Sequence, residues 1–198
     1  MNKINYQLKL EEITGGLEKR PSLLLHSCCG PCSSYCLEYL KGFFDITVLY
    51  YNPNIFPQEE FFKRLSEQKR LIDDYMEGIE LTVPEYDHSE FTNYVKGLEG
   101  EPEGGARCAK CFELRLEKTA RLAYEKGYDF FGTTLTVSPH KNARVINGIG
   151  ERIAGEFTIS PSWLYSDFKK KNGYKISIEL SQKYGLYRQN FCGCEFAK

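Results

Sequence analysis

The eight cysteines of this 198-residue chain fall in groups rather than singly: Cys28-Cys29 with Cys32 and Cys36, Cys108-x-x-Cys111, and Cys192-x-Cys194. In a small secreted domain such a count would suggest a disulfide framework. Clustered thiols in a reducing compartment point instead to metal or redox chemistry. Cys108 and Cys111 are one helical turn apart, so on a helix they face the same way, and at a helix start the dipole favours their thiolates. Cys192-Gly193-Cys194 offers a second chelating pair on a loop, where glycine allows a tight backbone approach. Cys28-Cys29 offers a third. Six thiols exceed one tetrahedral zinc site, which would leave two idle, whereas an iron-sulfur cluster with a second thiolate-bound metal uses all six. Cys36 reads as a buried core residue.

Other chemistry is less sharply marked. The turn HSCCGPCSS lacks both the GxGxxG dinucleotide signature and the GxxxxGK[ST] phosphate loop. The histidines are scattered, with His26 read as a strand residue and His88 as a surface one. His140 stands in SPHKNAR with Lys141 and Arg144 beside it, a grouping suited to phosphate contact at a helix start. From Trp163 to Arg188 the chain interleaves Trp163, Tyr165, Tyr174, Tyr184 and Tyr187 with Lys169, Lys170, Lys171, Lys175 and Arg188. That mixture of rings and cations suits unpaired RNA. Charge is divided the same way: residues 1–106 hold 10 Lys and Arg against 18 Asp and Glu, whereas residues 107–191 hold 15 against 8. A basic half beside a net charge of -1 fits either a polyanion-binding face or an unevenly charged solvated surface, and it counts only beside other features.

The elements that must position these residues alternate between strand and helix. Ser22–Ser27 is a short apolar run of strand length, and Gly30-Pro31 opens a helix that stops before Gly42. Phe43–Tyr51 is a second strand, rich in β-branched and aromatic residues. Gln58–Met76 carries Phe61, Phe62, Leu65, Ile72 and Met76 at helical spacing. A third strand at Ile79–Val83 precedes a helix capped by Ser89 and running to Val95. The loop EGEPEGG then delivers the chain into a helix from near Cys108 to Gly127. Tyr128–Leu135 is a fourth strand, and Val145, Ile146, Ile149 and Ile153 mark a further helix. The chain ends in an irregular tail, NFCGCEFAK.

This alternation predicts one α/β domain over residues 1–198, a parallel sheet flanked by helices with an irregular cysteine-containing C-terminal tail. Ligand sites in such folds lie beyond the carboxyl ends of the strands. Cys28-Cys29, Asn52, Asp87 and the segment Ser138-Pro139-His140 all fall there. Composition agrees with a globular chain, 41% hydrophobic and 27% charged, with no apolar run long enough to cross a membrane. The amino terminus has no apolar h-region, so the expected compartment is the reducing cytoplasm.

The segments LLHSCCGPCSSYCLEYL, YYNPNIFPQEEF, KGLEGEPEGGARCAKCFELRLEKTA, TTLTVSPHKN and DFKKKNGYKISIELSQKYGLYRQNFCGC are jointly distinctive. In their order and composition the chain resembles the epoxyqueuosine reductase QueH family, from about Leu23 to Cys194. The resemblance implies a Rossmann-like fold related to the PP-loop group, with the phosphate loop replaced by the cysteine segment. It implies reduction of the epoxide of epoxyqueuosine at the wobble position of tRNA, without cobalamin. It further implies a 4Fe-4S cluster next to a second metal, iron, held by Cys28, Cys29, Cys108, Cys111, Cys192 and Cys194, their division left open; Cys32, in the first motif, is given no metal. Asp87 is taken as the carboxylate of the site. His140, Lys141, Arg144, Lys169, Lys170 and Arg188 are taken as substrate-binding. The partners implied are tRNA carrying epoxyqueuosine and an electron donor, a reductant or ferredoxin-like protein. The rival readings are an ATP-dependent PP-loop tRNA sulfur transferase and a non-catalytic zinc-containing RNA-binding module.

Overall fold

A computed structural model of the chain describes residues 4–197; residues 1–3 and the final lysine of the tail lie outside them. Five strands form one parallel sheet in the order β3-β2-β1-β4-β5. They are β1 (Ser22–His26), β2 (Asp45–Leu49), β3 (Glu80–Thr82), β4 (Phe130–Thr133) and β5 (Ser162–Trp163). The helices are α1 (Tyr6–Gly15), α2 (Gly30–Leu40), α3 (Gln58–Tyr75), α4 (His88–Tyr94), α5 (Ala106–Lys126), α6 (Ala143–Ala154) and α7 (Gly173–Lys183).

Side-chain alternation along the strands sets the two layers. Leu23 and Leu25 of β1 face a core built with Leu10, Leu37, Leu71 and Leu186, while Leu24 faces one built with Leu116, Phe131, Ile146 and Ile153. Helices α1, α2, α3 and α7 therefore cover one face and α5 and α6 the other. Each of the three leucines is at most 1% exposed, which contributes about 2 kcal/mol per side chain. Because β1 is central, pairing Leu24 with Thr47 on one side and Phe131 on the other, its carboxyl end sits in the middle of the site edge.

The structure departs from the sequence reading at several elements. Helix α7 forms inside the segment read only as aromatic and basic, β4 is Phe130–Thr133 rather than Tyr128–Leu135 because Leu135–Val137 turn into a short 3-10 helix, and α4 is capped by Asp87 rather than Ser89. The lead-in carries α1, capped by Asn5, whose Oδ1 accepts from Gln7 N at 3.1 Å. A fifth strand pairs Phe131 with Trp163 inside the segment read only as aromatic and basic. The second strand is shorter than Phe43–Tyr51: at its start Phe43 N and Phe44 N still donate to Leu40 O at the end of α2, and beyond Leu49 the pairing continues only through Tyr50 N, which donates to Thr82 O at 2.9 Å. No helix among the described residues is long and apolar enough to cross a membrane.

Candidate metal centre and nucleic-acid cavity

The carboxyl ends of β1, β2 and β4 open onto a cavity of about 460 Å³. Its floor is the turn from β1 into α2, which carries Cys28, Cys29 and Cys32. Hydrogen bonds shape that turn from below. Ser27 donates to Gln68 Oε1 at 2.6 Å, Asn52 Nδ2 donates to Ser27 O at 2.8 Å, and Ser33 N donates to Cys29 O at 3.1 Å. Gly30 admits the backbone of α3 closely, since a Cβ there would stand 3.0 Å from Glu67 O. Proline at the helix start then turns Cys32 back over the pair.

The Sγ atoms of Cys28, Cys29 and Cys32 all lie within 4.8 Å of one another, those of Cys28 and Cys29 being 3.8 Å apart and unbonded. Cys32, left without a metal by sequence reasoning, completes this trio because Cys29 is the extended cap residue before α2 and Cys32 stands in its first turn. The trio shares its protons unevenly. Hydrogen bonds from Cys29 and Cys32, with Lys141 and His26 nearby, hold Cys28 well below the ordinary thiol range. The bond to Cys28, then burial, pushes Cys29 up to about 12. One thiolate between two thiols is a donor set prepared for a thiophilic cation.

The second group of cysteines gathers behind the first. Cys108 and Cys111 stand on the opening turns of α5, where Gly104 N donates to Cys108 Sγ at 3.2 Å. Cys111 is buried beside Phe91 and Val95, with Cys194 packed against the same cluster. Burial pushes Cys111 up to about 12; Arg115 opposes this, and Cys192, Cys194 and Cys108 add to it as neighbouring negative charges. The tail that brings Cys192 and Cys194 is pinned by two buried arginines. Arg64 donates to the carbonyl oxygens of Cys192 at 3.0 Å and Phe191 at 3.4 Å, and Arg107 donates to that of Phe196 at 3.0 Å. Phe56 N donates to Gly193 O at 2.8 Å, and His88 Nε2 lies 2.7 Å from Glu195.

Basic side chains line the cavity, Arg64, Arg115, Lys141, Arg188 and the imidazole of His140, with Glu103 the one carboxylate among the described lining residues. Burial alone would lower the Lys141 ammonium, but Cys28, Cys192 and Cys32 together raise it above its ordinary value, keeping it charged. Arg115 is buried, donating to Cys111 O at 3.1 Å, and among the described residues no carboxylate pairs with it.

The family model described as epoxyqueuosine reductase QueH matches residues 23–198. The chain belongs to that family. The epoxyqueuosine reductase QueH of Streptococcus pyogenes serotype M1 is 44% identical, the match covering 98% of this chain and 78% of that protein. That of Staphylococcus epidermidis is 43% identical over 98% of this chain and 85% of its own length. The Thermotoga maritima protein is 32% identical over 89% and 90%.

The site residues named from sequence fall in three sets, of which one, Cys108, Cys111 and Cys194, belongs to the second cysteine group already described. Cys28, Cys29, Cys192, His140, Lys141 and Arg188 line the cavity. Asp87 does not: it is exposed, caps α4 by accepting from Ser89 N at 2.9 Å, and belongs to a separate crevice. Lys169 is ion-paired to Asp167 at 2.6 Å, and Arg144 and Lys170 are exposed outside the lining. Sequence reasoning missed Arg64, Arg115, Asn54 and Phe191, and of the rings it named in the basic segment Tyr174 lines the cavity. The two arginines had a signal, since each occupies a buried-face position of its helix, between Phe61 and Gln68 and between Phe112 and Thr119.

Proposed function

We propose that the chain removes the epoxide oxygen of epoxyqueuosine at the anticodon wobble position of tRNA, giving queuosine without cobalamin. The observation that carries this reading is one cation-lined cavity holding Cys28, Cys29, Cys32 and Cys192, in a member of the QueH family. The net reaction takes two electrons and two protons, breaks both C–O bonds, and leaves an alkene and water.

The donor set fits iron. Three sulfurs within 4.8 Å of one another suit a single ion, so Cys28, Cys29 and Cys32 would hold the second metal. Cys108, Cys111, Cys192 and Cys194 would hold a 4Fe-4S cluster, whose thiolates stand farther apart around a larger body. When bound, these groups supply electrons singly and a Lewis acid for the departing oxygen. Lys141 and Arg115 hold thiolate charge in place from the cavity side. His140 also lines the cavity, and its imidazole nitrogens can relay protons to the departing oxygen. Arg188 and Lys141 receive backbone phosphates, and the base enters splayed from the loop. An external donor, a ferredoxin-like protein or a small reductant, renews the electrons. A tRNA substrate makes the cytoplasm the place of work.

The sulfur-transferase reading is less well supported, because the turn after β1 has no phosphate loop. Anaerobic incubation of iron-loaded protein with epoxyqueuosine-containing tRNA and a chemical reductant, cobalamin omitted, tests the proposal; queuosine must form.

A further inference from the structure

Among the described residues, Phe191 combines two properties found together in no other: it is a large apolar side chain 50% exposed, and it lines the cavity. Such exposure normally accompanies a loose ring. Here the ring is fixed. The Arg64 guanidinium carbon lies 4.9 Å from its centroid, and Arg64 Nη2 donates to Phe191 O at 3.4 Å. Arg64 is itself 3% exposed and paired to Glu60 at 2.6 Å, so the cation beneath the ring cannot swing away. A second ring of the lining, Tyr174, also has a cation near it, with Arg188 at 5.4 Å.

We propose that Phe191 is a stacking platform for an unpaired nucleobase of the anticodon loop. This rests on the reading that the cavity receives tRNA. A phosphate alone would use His140, Lys141 and Arg188 and leave the ring in water. A nucleotide uses both, its phosphate meeting the cations and its base covering the exposed ring. The ring needs no ordering on binding, because Arg64 has already seated it, and a cation behind an aromatic face adds to its attraction for a base. The tail thus carries two adjacent contributions, the Phe191 ring for the RNA and the Cys192 sulfur for the metal.

The test uses the full iron-loaded chain and a fluorescently labelled anticodon stem-loop, with binding read by anisotropy. Phe191→Ala and Phe191→Leu weaken binding about tenfold or more, and Phe191→Trp keeps it near that of the unaltered chain. Iron content and visible spectrum stay unchanged in all three. Equal binding by Phe191→Leu and the unaltered chain would show that apolar bulk alone suffices and would overturn the platform, as would unimpaired binding by Phe191→Ala. Loss of iron in Phe191→Leu would make the ring a support of the tail and overturn it too. Conversion of epoxyqueuosine by the unaltered chain is scored separately. Stem-loop binding that follows the predicted order without conversion would remove the reductase reading alone, and conversion with indifferent binding would remove the platform alone.

Discussion

Arg64 donates from Nη1 to the carbonyl oxygen of Cys192 across 3.0 Å, tying the buried face of α3 to the segment that closes the cavity. Arg64→Met removes this tie and leaves Glu60, whose side chain is 11% exposed, without its cation. The expected cost is about 3 kcal/mol of folding stability, with a fall in iron bound per chain. Denaturant unfolding and iron analysis check both; an unchanged midpoint with full iron would contradict the role given to Arg64.

Gly193 lies at φ +91°, in the left-handed region, and a Cβ there would stand 3.0 Å from Arg64 Nη2. Gly193→Ala is therefore expected to cost about 1–2 kcal/mol and to displace Cys192 and Cys194 together. Its iron content should fall below that of Gly185→Ala, a left-handed position with nothing within 4 Å of a Cβ, which serves as the backbone control.

The two cysteine groups should separate in metal analysis. Cys111→Ala abolishes cluster assembly, removing the broad visible absorption and all turnover. Cys32→Ser keeps that absorption and loses the iron held outside the cluster, with turnover falling at least as far. Identical spectra and iron contents for the two variants would contradict the division proposed here.

Asp129 Oδ2 accepts from both the backbone nitrogen and the hydroxyl of Ser22, each at 2.8 Å, joining the starts of β1 and β4. The backbone bond first, and then the hydroxyl, lowers its carboxyl pKa. A depressed native pKa gives stability that is present above the unfolded value of about 3.9 and lost as pH falls through the native one. Asp129→Asn should thus be less stable than the unaltered chain at neutral pH, and the gap should narrow in acid. Thermal unfolding across that range measures it.

Much of the sheet was legible because its physics is local. The run Ser22-Leu23-Leu24-Leu25 is too short and too apolar for a surface helix, and glycine and proline punctuate each change of element. The fifth strand was not legible: two residues, Ser162 and Trp163, carry no periodicity, and they pair only because β4 presents its edge. At the site, cysteine spacing announced metal chemistry, and the strand-end rule located the cavity. What spacing could not convey was which charges remain free once folded. Lys169 and Lys170 look alike in sequence, yet Lys169 is taken up by Asp167. Asp87 stands near a strand exit, but the short α4 after it uses its carboxylate as a cap. Arg64 and Arg115 look like solvated helix residues until their positions on the buried stripes are counted.

The most direct measurement is nucleoside mass analysis of epoxyqueuosine-containing tRNA after anaerobic incubation with the iron-loaded chain and a chemical reductant, cobalamin omitted. The account predicts loss of epoxyqueuosine and growth of a nucleoside lighter by one oxygen, in step with the iron bound. Persistence of epoxyqueuosine in the presence of fully iron-loaded protein would contradict it.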